Sequence, residues 1–263
     1  MGAATTQARA ALLGTLARLG TADLATGEQL LAAGRVIGDS AQLRGVLVDP
    51  SVGAAEKAAL VDRLFAAQTA GARALLAAAV AVPWSSDDDL LAGVEEAGIR
   101  VLARSAPATL ALDAELFAFG AAVRGDQQLE LAVSAKLGPA DARARLVRRL
   151  LEGKAAPQTV AILEHLVRQP RGRRIDALVG TATRIVAEAA GTAIATVTTA
   201  RALTAAQTER LAAALAAVEG RDVRIHALVD PAVLGGVRVA LGDSVIDGTV
   251  SARLADLKLQ LAS

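Results

Sequence analysis

The stretch LGDSVIDGT, Leu241 to Thr249, sets a hydroxyl, Ser244, directly after Gly242-Asp243, where a serine could act as a nucleophile. Such a serine needs an imidazole within hydrogen-bond reach to take its proton. The chain holds two histidines, His165 and His226, and none follows Ser244. His165 falls in an apolar helical run and His226 in a β-rich run, where a hydrogen-bonded structural imidazole is the expected state. Gly and Asp tolerate positive φ, so Gly242-Asp243 between two β-rich runs predicts a tight hairpin, with Ser244 a turn residue.

Other chemistry is equally thin. Gly153-Lys154 lacks the earlier glycine of a phosphate-binding loop, because Arg148 stands there, and Ala155 replaces the metal-binding hydroxyl. Asp87-Asp88-Asp89 lack the spaced oxygens, glycine and terminal glutamate of a calcium loop, and read as acids favoured by a helix dipole. With no cysteine there is no thiolate nucleophile, disulfide frame or Cys-ligated zinc. Arg143, Arg145, Arg148, Arg149, Arg168, Arg171, Arg173 and Arg174 concentrate positive charge without aromatic residues to stack on bases, so the run reads as a solvated face and not a nucleic-acid site. The expectation is no catalytic residue, no cofactor and no metal.

The elements that carry these residues are mostly helical. Hydrophobic residues make up 53% of the chain and aromatics only 2%, which favours close packing of slender Ala- and Leu-rich helices. Ala8, Leu12, Leu16 and Leu19 form one stripe of a helix over 5–19, with Gly20 as its expected cap. Further helices are expected over 28–37 and 41–48. Sliding the chain by about 86 positions lays LVDRLF (60–65) on LVRRLL (146–151), Gly38-Asp39 beside Gly125-Asp126, and the helix 72–80 on 158–166. Shared punctuation at separate points indicates a tandem duplication. The copies differ on their surfaces: residues 1–104 carry a net charge of −2 and residues 105–190 one of +3.

After Gly191 the period changes. Residues 192–200 alternate as a strand, Thr204 to Gln207 have capping-box spacing ahead of a helix over 205–218, and 223–229 and 237–241 read as further strands. A last amphipathic helix is expected over 250–261. The fold class is therefore mainly α: tandem helical bundles at 1–104 and 105–190, then a small α+β domain at 191–263. The longest apolar run, 66–84, contains Arg73 and Pro83 and is too short to span a bilayer. No export signal is read, so a cytoplasmic location is the default.

Within the tail, VDPAVLGGVRVALGDSVIDGTVSARLADLKLQL resembles the C-terminal signature of the delta subunit of F-type ATP synthase, the counterpart of the mitochondrial oligomycin-sensitivity-conferring protein. Gly235-Gly236, Asp247-Gly248-Thr249 and Arg253-Leu254 carry the match, with Thr249 where the family usually has Ser. Upstream, DAELFAFG (113–120) and the helices to Ala190 resemble the family's helical domain. Residues 1–104 look like the extra copy of long forms from high-GC bacteria.

The resemblance implies a non-catalytic stator subunit. Its helical domain would grip the N-terminal segment of the alpha subunit on the F1 head, and its C-terminal domain would join the membrane-anchored b subunit. Such a protein sits on the cytoplasmic face of the membrane through the ATP synthase complex, with no direct insertion. The seven motif residues are then candidates for a partner interface, and the opening helix RAALLGTLARL lacks the family's Tyr, so the resemblance leaves open which copy meets the head. The rival reading is a free-standing helical adaptor or scaffold that binds amphipathic helices.

Overall fold

The computed structural model describes residues 2–20, 22–135, 138–242 and 244–254. It divides into two compact units, Met1–Val186 and Ala187–Ser263.

The first unit is helical: α1 (Ala3–Arg18), α2 (Leu24–Asp39), α3 (Ala41–Val48), α4 (Ala54–Leu64), α5 (Ala70–Val80), α6 (Asp87–Ser105), α7 (Leu112–Gly125), α8 (Gln127–Ser134), α9 (Ala140–Leu151), α10 (Pro157–Arg168) and α11 (Ile175–Ala189), whose last turn passes the division. The 86-residue offset is visible in these bounds, since α3 displaced by 86 becomes Gln127–Ser134, the bounds of α8. The displaced α2, α4 and α5 fall on α7, α9 and α10 to within two residues at every end. Their punctuation repeats as well. Ser40 caps α3 by accepting from the Leu43 N–H, and Asp126, 86 residues on, caps α8 by accepting from those of Gln128 and Leu129. Helix α6 serves twice: the displaced α1 falls on its residues 89–104, while α6 itself falls on α11.

Burial follows the apolar stripes. One core gathers Leu12, Leu16, Leu30, Ile37, Leu75, Leu76, Trp84 and Leu90; a second gathers Leu116, Phe119, Val147, Ile162, Leu166 and Leu178. Leu31, Ile99 and Leu102, from α2 and α6, belong to the second core, so the helices of the first copy are packed into the second. Helices α2 and α6 approach closely because each offers a glycine to the other's leucine. A Cβ on Gly27 would lie 2.6 Å from Leu102, and one on Gly98 would lie 2.6 Å from Leu31. Where a helix start lacks its own cap, a neighbour supplies it: Ala156 precedes α10, and the Ala156 N–H and Thr159 hydroxyl both donate to Glu115 of α7.

The second unit contains β1 (Ala193–Thr199), α12 (Ala205–Glu219), β2 (Val223–Val229), β3 (Val237–Leu241) and β4 (Ser244–Asp247) in one sheet of order β2-β1-β3-β4. Strands β1 and β2 are parallel across α12, and the other pairs are antiparallel. The core is small: Ala193, Ala195, Val197, Val223 and Val239 meet Leu215 of α12. Thr204 and Gln207 form the expected capping box, and Gly220 ends α12 at φ 69°.

Local readings were corrected at two places. Gly20 is not a left-handed cap, since α1 stops at Arg18 with extended backbone at Leu19. Helix α2 begins four residues before the expected Glu28, because the Asp23 carboxylate accepts from the Thr26 N–H. Between Ala189 and the sheet, Gly191 at φ 76° closes a Schellman motif, in which the Thr192 N–H donates to the Ala187 carbonyl and the Gly191 N–H to that of Glu188. Of the expected final helix, 250–254 is helical, and Leu257 and Leu261 lie outside the described residues, as does Asp243 of the expected hairpin turn.

Candidate functional site

The motif residues of the tail converge, and what they build is backbone. Gly235 (φ 129°) and Gly236 (φ 85°) take conformations that L side chains rarely adopt. A Cβ on Gly236 would collide with the Gly248 carbonyl and lie 2.8 Å from the Thr249 Cα, so the two glycines let one chain segment lie against the other. Two bonds stitch them together: the Gly248 N–H donates to the Val237 carbonyl at 2.9 Å and the Val250 N–H to the Gly235 carbonyl at 3.1 Å.

Asp247 accepts from the Thr249 N–H at 3.0 Å, and bonds from the Thr249 side chain and backbone hold its carboxyl below the ordinary aspartate range. Thr249 in turn accepts from the Ala252 N–H at 3.2 Å and so caps the final helical turns. Arg253 and Leu254 leave this knot and are exposed.

Ser244 opens β4 and is exposed. Leu241 pairs with Ser244, which leaves a two-residue connection whose first member, Gly242, has φ 58°. His226 lies on β2, with β1 and β3 between it and β4. Three strand spacings amount to about 14 Å. The register also puts His226 on the sheet face of Thr196, Ala240 and Val245, opposite to that of Ser244. The serine and this imidazole therefore cannot form a nucleophile and base.

Apolar side chains are exposed in this same unit at Leu234 (77%), Ile246 (58%), Val245, Val250 and Leu254. They flank the glycine knot and line both faces of the edge strand β4, whose four residues are all exposed.

The helical unit contains a group that periodicity did not single out. Glu95, on α6, is buried among cations from the second copy. Its Oε2 accepts from Arg171 at 2.9 Å, and Arg173 donates to both carboxylate oxygens at 3.0 and 3.1 Å. His165, on α10, is 2% exposed and lies between Arg35 of α2 (3.0 Å, at Nδ1) and Glu95 (3.2 Å, at Nε2). A guanidinium can only donate, so Nδ1 is the acceptor and the Nε2–H donates to Glu95. Burial alone would raise the Glu95 pKa, but the His165 bond and the charges of Arg171 and Arg173 outweigh it and hold the group at about 2. Burial pushes His165 below its ordinary value, and Arg35 and Arg171 push the same way, so the imidazole is neutral.

Arg171 and Arg173 belong to the arginine run read as a solvated face, and other members of the run also have internal partners. Arg143 donates to the carbonyls of Ala135, Gly138 and Val167, Arg148 and Arg168 share the buried Glu164, and Arg174 reaches Glu130 and Asp176. Arg145 and Arg149 are exposed. The acids read at the start of α6 do lie in its first turn, where Asp87 pairs with Arg44 at 2.9 Å and Asp89 accepts from the Thr5 hydroxyl at 2.7 Å. Among the described residues no group of three or more His, Cys, Asp or Glu is placed to hold a metal ion.

A family model described as ATP synthase delta (OSCP) subunit matches residues 100–261. A protein named ATP synthase subunit delta from Leifsonia xyli is 54% identical over 263 residues, all of both chains. The chain belongs to this family.

Another delta subunit, from Streptomyces griseus, is 38% identical over 89% of this chain and 88% of its own. Among solved structures, a chain of the Toxoplasma gondii mitochondrial ATP synthase hexamer is 16% identical with a TM-score of 0.42, covering 64% of this chain and 96% of that one. As a delta-family member the chain is a non-catalytic structural subunit of ATP synthase, acting in the peripheral stalk as a peripheral part of a membrane complex. The adaptor reading gives way to this one. Among the described residues no helix is long and apolar enough to cross a membrane.

Proposed function

We propose that the chain is a stator clamp that ties the F1 head to the membrane-anchored b subunit on the cytoplasmic face of the membrane, so that proton-driven rotation is converted into ATP synthesis. The helical unit would take the N-terminal segment of the alpha subunit, and residues 191–263 would take b. Residues 1–104 and 105–190 are read as the two helical copies.

The observation that carries this reading is an asymmetry between corresponding helix pairs. Displacement by 86 residues maps α1 and α5 onto α6 and α10. In the second copy that pair is covered by a helix, because α2 packs on α6 and reaches α10 through Leu31 and Arg35. In the first copy α1 and α5 carry Gln7, Ala11 and Ala74, all exposed. Small side chains let a helix approach closely, which suits an amphipathic helix from a partner. The first copy is thus the one offered to the head. For b, support comes from the exposed apolar side chains Leu234, Ile246, Val250 and Leu254 beside the glycine knot and β4, since large apolar side chains left in water on an edge favour a contact surface.

Rebinding tests both halves. Catalytic heads stripped of this subunit should capture the chain, whereas Ala11→Glu with Ala74→Glu should abolish capture and leave b binding intact. Ile246→Asp should do the reverse. Capture unaffected by the paired Glu substitutions would overturn the assignment to the first copy.

A further inference from the structure

Two neighbouring carboxylates on α6 face opposite copies. Glu96 takes Arg9 of α1 in a two-pronged pair at 2.6 and 2.7 Å, together with Arg100 of its own helix at 2.8 Å. Glu95 takes the neutral His165 of α10 and the cations Arg171 and Arg173 of the α10–α11 turn. The shared helix is therefore fastened on both sides by ionic contacts, one set within the first copy and one set across the seam between the copies.

The rest of that seam is apolar. Leu31, Ile99 and Leu102 bury their side chains in the second core, and such contacts resist separation without fixing a rotation, because the hydrophobic effect is non-directional. Hydrogen bonds between ions are directional, and the bonds at Glu95 come from several angles. The relay Arg35, His165, Glu95 starts and ends in the first copy and passes through α10 of the second. It closes only at one orientation of α10 against α2 and α6. Arg171 reaches Glu95 with a left-handed backbone (φ 48°), a strained state for a non-glycine residue that persists where its surroundings impose it. In the first copy the position 86 residues before Glu95 is Arg9, so this node is not an inherited feature of each repeat.

We infer that the buried Glu95 node, with His165, Arg35, Arg171 and Arg173, is an orientation lock that fixes the second helical copy on the first and makes residues 1–186 one stiff arm. The apolar seam holds the copies together, and the node sets the angle. A member of a stalk that resists torque needs that angle held, because slack there would be taken up before any load reached the head.

The chain lacks cysteine, so paired spin labels at introduced cysteines report single distances. Arg18→Cys with Arg149→Cys spans the seam at exposed positions of α1 and α9, while Arg18→Cys with Val46→Cys and Leu131→Cys with Arg149→Cys stay within one copy each. In the full chain the cross-seam pair should give one narrow distance distribution. Glu95→Ala and Arg35→Met should each widen it at least twofold and leave both within-copy distributions unchanged. Should Glu95→Ala fail to fold, Arg35→Met decides alone, since it removes the cation on His165 and leaves the carboxylate all three of its own partners. An unchanged cross-seam width in a folded variant, or equal widening within the copies, overturns the lock.

Discussion

The helical unit and the C-terminal unit keep their shapes by different means. In the first, acidic side chains are inside: Glu95, Glu96, Glu164 and Asp113 are all buried, and the three glutamates meet arginines. In the second, the apolar core is small and the shape depends on backbone geometry at Gly220, Gly235 and Gly236 and on capping by Thr204 and Thr249. A large helical unit can enclose a charge with partners on every side. A four-stranded sheet packed on α12 has little interior in which to do so, and relies on turns that only certain residues permit.

The sharpest way to break the first strategy is Glu95→Ala, which removes the buried partner of Arg171 and Arg173. Loss of one partner of a buried ion pair costs about 3–5 kcal/mol. Arg9→Ala, at a pair whose arginine side chain is 35% exposed, should cost about 1 kcal/mol or less. Denaturant unfolding of the two variants measures the difference, and equal costs would show that the seam draws nothing special from Glu95.

Acidification attacks the same node. Glu95 titrates at about 2 when folded against an ordinary 4.5, so the unfolded chain binds its proton first as pH falls, and stability present above 4.5 is lost toward 2. A shift of this size corresponds to about 3 kcal/mol. His165, lowered from 6.5 when folded, acts in the same direction from a higher start: the unfolded imidazole is protonated below 6.5 while the folded one stays neutral. Unfolding midpoints should therefore begin to fall near pH 6.5 and fall further below 4.5. Glu95→Gln should flatten the lower portion and His165→Gln the upper.

The second strategy breaks at Gly236→Ala, where positive φ and the collision with Gly248 combine. Backbone strain of this kind costs about 1–3 kcal/mol, and hydrogen exchange should show it in the C-terminal unit with the helical unit unchanged. Thr249→Ala should cost about 1 kcal/mol through the lost cap, whereas Thr249→Ser should be near neutral. The smallest effect is Ser244→Ala, for which ATP synthesis by the assembled complex should be unchanged. A large loss with assembly intact would return that serine to chemistry.

Much of the architecture was legible because it is local. Helix α3 and strands β2 and β3 have the bounds that periodicity and punctuation predict, and the Thr204 capping box is a four-residue pattern. The glycine motif was legible as residues that only a tight backbone would need. Glu95 was not. In the chain it looks like Glu96 beside it, and both look like a solvated acidic stretch. Its partners His165, Arg171 and Arg173 are 70, 76 and 78 positions away. A faint signal existed in the unequal positions across the repeat, an acid in one copy against an arginine in the other, but it did not say which would be buried.

By itself, then, the sequence determined the helical periods, the repeat of 86 residues, the break in character after Gly191 and the absence of cysteine chemistry, since each depends on residues close together or on composition. The tertiary structure alone decided that α6 serves both copies, that Glu95 faces inward while Glu96 faces α1, and that Arg148, Arg168, Arg171 and Arg173 of the arginine run reach buried carboxylates while Arg145, Arg149 and Arg174 stay on an exposed face. The physical reason is that the ionisation and hydration of a side chain depend on what surrounds it in space, and those surroundings are assembled from segments whose distance along the chain carries no record of their contact.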